Sequence, residues 1–186
     1  MGFDQAAVTG QTHFWFSACA RAIALCAQEP RQSEMVQCLL RCLEDARPRD
    51  FRPSPLPALA HLQEVKDMKL AREFREFAHF LPWKYSPRTI DQGQEVAIME
   101  LGSMFELEEV AAGLMYVDSH QVYPEHNHPP DEMYFLISGT ARWRYGGHHD
   151  YRSVTAGNIL YNHPWNWHGV KAGATPVLAL FLLCSG

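Results

Sequence analysis

No stretch of this chain stays apolar for the roughly 20 residues that a bilayer-spanning helix needs, so no membrane partner is expected. Paired cysteine spacing is missing too. The five cysteines, Cys19, Cys26, Cys38, Cys42 and Cys184, are odd in number. Cys19 and Cys26 lie a heptad apart, and Cys38 and Cys42 one helical turn apart, so they read as small apolar residues on helix faces in a reducing compartment. The start, Met1 to Gln5, lacks the basic flank and apolar centre of a signal peptide, which makes the cytoplasm the expected location. Basic residues are scarce where they would matter for a polyanion. Residues 1–90 hold 12 Lys and Arg against 10 Asp and Glu, whereas residues 91–186 hold 4 against 11. With a formal net charge of −5, nucleic acid is not an expected partner. There is no internal repeat and no low-complexity tract. What remains is an ordinary globular composition, 47% hydrophobic and 20% charged over 186 residues.

The first third predicts helices. Phe14, Ala18, Ile23, Leu25 and Cys26 recur at roughly helical spacing between Gln11 and Gln28, with Thr12 as the cap and Pro30 as the stop. A second helix is expected from Ser33 to Ala46. Four prolines between Arg47 and Pro57 require an extended crossing segment, and a third helix is expected from Ala58 to His79. From Glu95 onward the pattern becomes short and strand-like: Val96–Leu101, Val110–Val117, Glu132–Ile137, Ala141–Tyr145, Ser153–Thr155 and Val177–Cys184. The expectation is a mainly β protein, with a helical region over residues 1–80 packed on an antiparallel β-barrel or jelly roll over residues 81–186. An exposed barrel edge or helix face would offer a surface for a homodimer.

The chemistry concentrates between Tyr123 and Gly139. Two histidines one residue apart, His126 and His128, are followed by Glu132 and Tyr134. Imidazole nitrogen and carboxylate oxygen suit a borderline divalent metal, provided that a rigid support makes them converge. Glu132 and Tyr134 share one face of the expected strand, and the histidines, placed just before it, share their parity. His148 and His149, in the Gly146 to Asp150 turn, are read as solvated.

The spacing His126-x-His128-x3-Glu132-x6-Gly139 resembles the first motif of the cupin superfamily, small β-barrels that bind one metal. The stretch Gly157 to His168, with Pro164 between, resembles the second motif. That likeness implies a ligand set of His126, His128, Glu132 and His168, with His163 the competitor for the last place. Asn166 and His120 stand where the family usually has glycine. Zinc, iron and manganese all accept such ligands, as do nickel and cobalt.

Tyr123, three residues before His126, and Tyr134 narrow the resemblance. His-x-His-x3-Glu-x-Tyr-x4-Gly, together with Tyr123 and Gly157-x3-Tyr161, is similar to the signature of the cupin-type dimethylsulfoniopropionate lyases, whose Q-type (DddQ-like) members join a helical region to a cupin. The resemblance implies a metal-dependent carbon–sulfur lyase that acts on a small zwitterionic sulfonium carboxylate. Its β-elimination would give dimethyl sulfide and acrylate, with Tyr123 the favoured base and Tyr134 a metal-proximal ligand or helper. His126 is then either a ligand or a positioning residue. A sulfonium calls for aromatic faces; Trp165, Trp167, Tyr161 and Trp83 are the candidates. The same ligands would also serve a cupin dioxygenase or isomerase on another small carboxylate, or a ligand-binding cupin without turnover.

Overall fold

The computed structural model describes residues 3–89, 95–145 and 150–184. The expected turn carrying His148 and His149 lies outside the described residues.

Helix α1 spans Gln5–Cys26 and begins earlier than the periodicity suggests, because Asp4 caps it by accepting from the Ala7 N–H. Thr12 is therefore no cap: it sits mid-helix, buried, and donates to the Val8 carbonyl at 2.8 Å. The buried face is Val8, Trp15, Phe16, Cys19, Ala20 and Ile23, while Phe14 and Leu25 face outward. Helix α2, Pro30–Glu44, opens on the proline that was expected only to stop α1. A proline at the first helical position loses no hydrogen bond, and Gln32 reaches back to the Glu29 N–H, so Ser33 is not the cap.

The extended crossing opens on the short strand β1 (Arg47–Pro48). The long helix expected from Ala58 is broken into a 3-10 segment (Pro57–Glu64), helix α3 (Lys69–Arg75) and a 3-10 turn (Ala78–Phe80). Its apolar periodicity was real, since Leu59, Leu62, Val65, Phe74 and Phe77 are all buried. Continuity fails between the pieces because Asp67 accepts from the Gly139 N–H at 2.7 Å and the Ser138 hydroxyl at 3.1 Å, turning the chain onto the sheet.

The β region runs β2 (Lys84–Tyr85), β3 (Val96–Glu100), β4 (Phe105–Glu106), β5 (Ala111–Val117), β6 (Val122–His126), β7 (Asp131–Ser138), β8 (Thr140–Tyr145), β9 (Arg152–Thr155), β10 (Ile159–Asn162), β11 (His168–Ala172) and β12 (Val177–Cys184). Strands β6, β10 and β11 are too short and polar to show in the hydrophobic pattern. All pairings are antiparallel. One sheet has the order β10-β7-β12-β5-β3-β2, the other β6-β11-β8-β9, and β1 pairs with β4 apart from both. Among the described residues the two sheets are not joined into the closed barrel that was expected.

The alternation along β7 decides the layering. Met133, Phe135 and Ile137 join Leu114, Leu178, Leu180 and Leu182 in a cluster with α1, α2 and α3. Tyr134 and Leu136 face the opposite way, against Tyr123, Trp143 and Val170 of the second sheet. The larger sheet is thus covered on both faces, which explains why β12 reads as an uninterrupted apolar run. Gly139 closes the β7–β8 turn at φ +92°, where an added Cβ would lie 2.3 Å from the Pro176 carbonyl oxygen. Among the described residues, no helix is long and apolar enough to cross a membrane.

Candidate metal centre

Strand pairing brings the site together. His126 ends β6 and His168 begins β11, and the two are direct partners across that pair. His126 is therefore on a strand of its own in the smaller sheet, rather than just before the strand that carries Glu132. Glu132 lies near the start of β7, opposite Asn162 on β10 in the larger sheet. His128 sits between the sheets, its loop held by the Trp165 N–H donating to the His128 carbonyl at 2.8 Å. The His126 and His168 rings are 4.4 Å apart, His128 and His168 5.1 Å, and one nitrogen from each lies within 4.8 Å of the others. His126, Glu132 and His168 are buried.

The three imidazoles are oriented in one way. Nδ1 of His126 lies 2.9 Å from the Pro124 carbonyl, Nδ1 of His128 3.1 Å from that of Pro130, and Nδ1 of His168 2.9 Å from that of Asn166. A carbonyl only accepts, so each Nδ1 carries a proton, and a neutral ring then presents an Nε2 lone pair. Glu132 Oε2 lies 3.1 Å from His128 Nε2 and 2.9 Å from His168 Nε2. The second approach is outside hydrogen-bonding direction, which leaves His168 Nε2 buried without a hydrogen-bond partner among the described residues. Lone pairs and a carboxylate aimed at one point are what a cation resolves. Metal bonds of about 2.0–2.1 Å would put neighbouring ligand atoms about 2.9–3.4 Å apart, the range the Glu132 contacts occupy. The residues present fit a divalent cation.

The protein groups alone set the following electrostatics. Burial holds His126 down at about 4. Burial also pushes the Glu132 carboxyl up, but the His128 and His168 imidazoles that face it outweigh that and bring it down to about 2. The hydrogen bond to Glu132 raises His128. Asn162, fully buried, donates from Nδ2 to Glu132 Oε2 at 2.9 Å and so fixes the carboxylate.

A cavity of about 310 Å³ opens onto His126, His128 and Glu132, with Tyr123, Tyr134, Arg88 and Phe181 in its walls. The Tyr123 ring is 4.5 Å from that of His126, and its oxygen accepts from the Ser86 hydroxyl at 3.3 Å. Tyr134 packs edge-on against Trp143 at 4.8 Å. Burial pushes both phenols up, Glu132 raises both further and the Arg88 guanidinium pulls both down; Ser86 adds a hydrogen bond that lowers Tyr123 alone.

The other candidates are not brought to this cavity. Trp83 is buried against Phe74, its indole N–H donating to the Ala78 carbonyl at 2.7 Å. Tyr161 points to the helical side and donates its hydroxyl to Asp131. Trp165 and Trp167 are exposed on the loop before His168. His163, on the same loop, is exposed and packs on Tyr161 at 4.9 Å. Ser86, Arg88, Asn162 and Phe181 were not singled out in the sequence. Ser86 lies in the helix-breaking stretch Pro82–Pro87 and Arg88 just after it, where only the aromatic residues drew notice, and the Asn162 signal was available only as its parity with Leu160 on a strand that was not recognised.

Two packed antiparallel sheets with three histidines and a glutamate between them define a metal-competent cupin. The chain belongs to the dimethylsulfoniopropionate (DMSP) lyase family, whose sequence model matches residues 36–179. Over 81 residues it is 30% identical to the dimethylsulfoniopropionate lyase DddQ of Ruegeria pomeroyi, covering 44% of this chain and 40% of that protein's length. The crystal structure of DMSP lyase DddQ from Ruegeria pomeroyi DSS-3 superposes with a TM-score of 0.74 at 20% identity, over 97% of this chain and 92% of that one. A chain from the crystal structures of the DMSP lyases RdDddP and RnDddQII gives 0.76 at 19% identity, over 98% and 95%. At these identities the structural likeness shows the fold alone.

Proposed function

We propose that this protein is a metal-dependent carbon–sulfur lyase that cleaves dimethylsulfoniopropionate into dimethyl sulfide and acrylate by β-elimination. The observation that carries the reading is the opening of His126, His128, Glu132 and two buried tyrosines onto one cavity, in a chain of this family. A divalent cation held by His126, His128, His168 and Glu132 would supply Lewis acidity to the substrate carboxylate and so acidify the adjacent C–H.

The chain's own groups have distinct tasks. Tyr123 is the proposed base, because hydrogen bonds from Ser86 and Arg88 favour its phenolate, whereas Tyr134 is relieved only by the Arg88 charge and also meets the Glu132 carboxylate through a hydrogen bond. The α-proton moves to the Tyr123 oxygen, its electron pair forms the C=C bond, and the C–S pair leaves with neutral dimethyl sulfide. Tyr134 and Phe181 present aromatic faces to the sulfonium, a contact of about 0.5–2 kcal/mol. Trp165 and Trp167 are proposed to approach it from solvent, on the loop that the Trp165 N–H ties to His128. Burial of the site excludes water from the developing charge.

Headspace gas chromatography of the purified, metal-supplied protein with dimethylsulfoniopropionate tests this directly. Dimethyl sulfide should appear; Tyr123→Phe should slow its release by about 10²–10⁴-fold at unchanged metal content, and Glu132→Ala should lose metal and activity together. A metal-loaded protein that leaves the substrate intact would overturn the proposal.

A further inference from the structure

A second group of metal-ligating side chains lies outside the cupin site. Cys38 and Cys42 project from one face of α2, Glu109 lies just before β5, and Cys184 ends β12, the strand paired with β5. One ligand atom each from Cys38, Cys42 and Glu109 lies within 4.8 Å of the others, with Cys38 Sγ 3.6 Å from Glu109 Oε2. The Cys184 thiol adjoins that of Cys38 from the sheet side. The sequence reading of these cysteines as inert helix-face residues missed this, because the convergence needs α2 laid across two strand ends.

We propose that Cys38, Cys42 and Glu109, with Cys184 alongside, form a binding site for one thiophilic divalent cation of the zinc class. Three observations support it. The donor set is soft and anionic once deprotonated, which selects zinc-like ions over magnesium or calcium. With Zn–S near 2.3 Å and Zn–O of about 2.0–2.2 Å, a tetrahedral site would put sulfur and oxygen about 3.5–3.7 Å apart, a range that includes the 3.6 Å between Cys38 Sγ and Glu109 Oε2. Solvent reaches the donors through two hollows, one lined by Cys42 and Glu109 and one by Cys38, Glu109 and Cys184. Arg41, 3.8 Å from Glu109 Oε2, would become an outer partner of the coordinated carboxylate.

On binding, two S–H bonds break, their protons go to solvent, and two S–metal bonds form; no electrons are transferred. The ion would staple α2 to the paired ends of β5 and β12, so the site is structural and independent of lyase chemistry.

The test is cobalt(II) titration of fully reduced, metal-stripped protein under a phosphine reductant. A near-ultraviolet thiolate-to-cobalt band, which the histidine–glutamate site cannot give, should appear in the wild type and persist in His128→Ala. It should vanish in the Cys38→Ser/Cys42→Ser double variant, and Glu109→Gln, at an exposed position, should weaken cobalt binding by about tenfold or more without altering the circular dichroism. Added zinc should raise the melting temperature of His128→Ala. A folded, reduced wild type without the thiolate band would overturn the proposal by showing a hydrogen-bonded thiol cluster only. So would a band that survives the double cysteine change, or unchanged cobalt affinity in Glu109→Gln.

Discussion

Asn162 donates its side-chain N–H to Glu132 Oε2 at 2.9 Å, and both residues are buried at paired positions of β10 and β7. The same carboxylate oxygen faces His128 and His168, so the amide decides where the Glu132 charge points. Outer partners of this kind are typically worth 10–100-fold in metal affinity. Asn162→Ala should therefore weaken zinc binding by about that factor, read by competition with a chromophoric chelator. The far-ultraviolet circular dichroism should be unchanged. Equal affinities would assign Asn162 to packing alone.

A second tie acts one residue earlier on β7. Arg31, in the first turn of α2, holds Asp131 Oδ2 from Nε at 2.9 Å and Nη2 at 2.8 Å, and Tyr161 donates to the other oxygen. The Asp131 side chain is only 11% exposed against 34% for Arg31, so this pair is screened less than a surface bridge. Arg31→Ala should cost about 1–2 kcal/mol. For a chain of this size that is a drop in melting temperature of roughly 2–8 °C. Differential scanning fluorimetry reads it, and Tyr161→Phe, which keeps the ring, should cost less.

The candidate ligands were legible from spacing because a motif is a local record of strand, turn and strand. His126, His128, Glu132 and His168 were brought together by the resemblance to the two cupin motifs, with parity relating only the first three. Which sheet each one stands on was not legible: β6 and β11 hold Pro124, Glu125 and Lys171 among their few residues and carry no clear alternation. The aromatic candidates separated for the same reason. Tyr161 and Trp83 look equivalent to Tyr123 by composition, yet strand parity and a broken helix turn them toward the helical cluster. The two positions departing from the family glycines have different fates. His120 adopts φ +62°, the conformation a glycine would reach without strain, while Asn166 offers its carbonyl to His168 Nδ1.

The close approach of β3 and β5 gives a third prediction. A Cβ at Gly113 would lie 2.1 Å from the Met99 carbonyl oxygen and 2.6 Å from the Phe181 ring, which forms a wall of the metal cavity. The ring can swing, but the backbone oxygen cannot move without parting the strands. Gly113→Ala should destabilise the protein by about 1–3 kcal/mol, visible as a lower urea midpoint. It should also raise KM more than it lowers kcat if the fold survives, since it displaces Phe181 and leaves the ligands in place. An unchanged midpoint would show that the sheet accommodates the methyl group.

The helical segment and the sheet are also joined by a contact that should respond to pH. His61 Nδ1 lies 3.0 Å from both oxygens of Asp118, at the end of β5, and hydrogen bonding to that carboxylate raises the imidazole above its usual value. A raised folded value means that the protonated ring stabilises the fold. That contribution is complete below the unfolded value of about 6.5 and disappears as the pH climbs through the folded one. His61→Gln should therefore lower the melting temperature at about pH 5.5 and leave it unchanged near pH 9. Because the ring is exposed, added salt should shrink the difference at low pH. A wild-type and variant gap that is the same at both pH values would mean that His61 contributes through its packing and not through its charge.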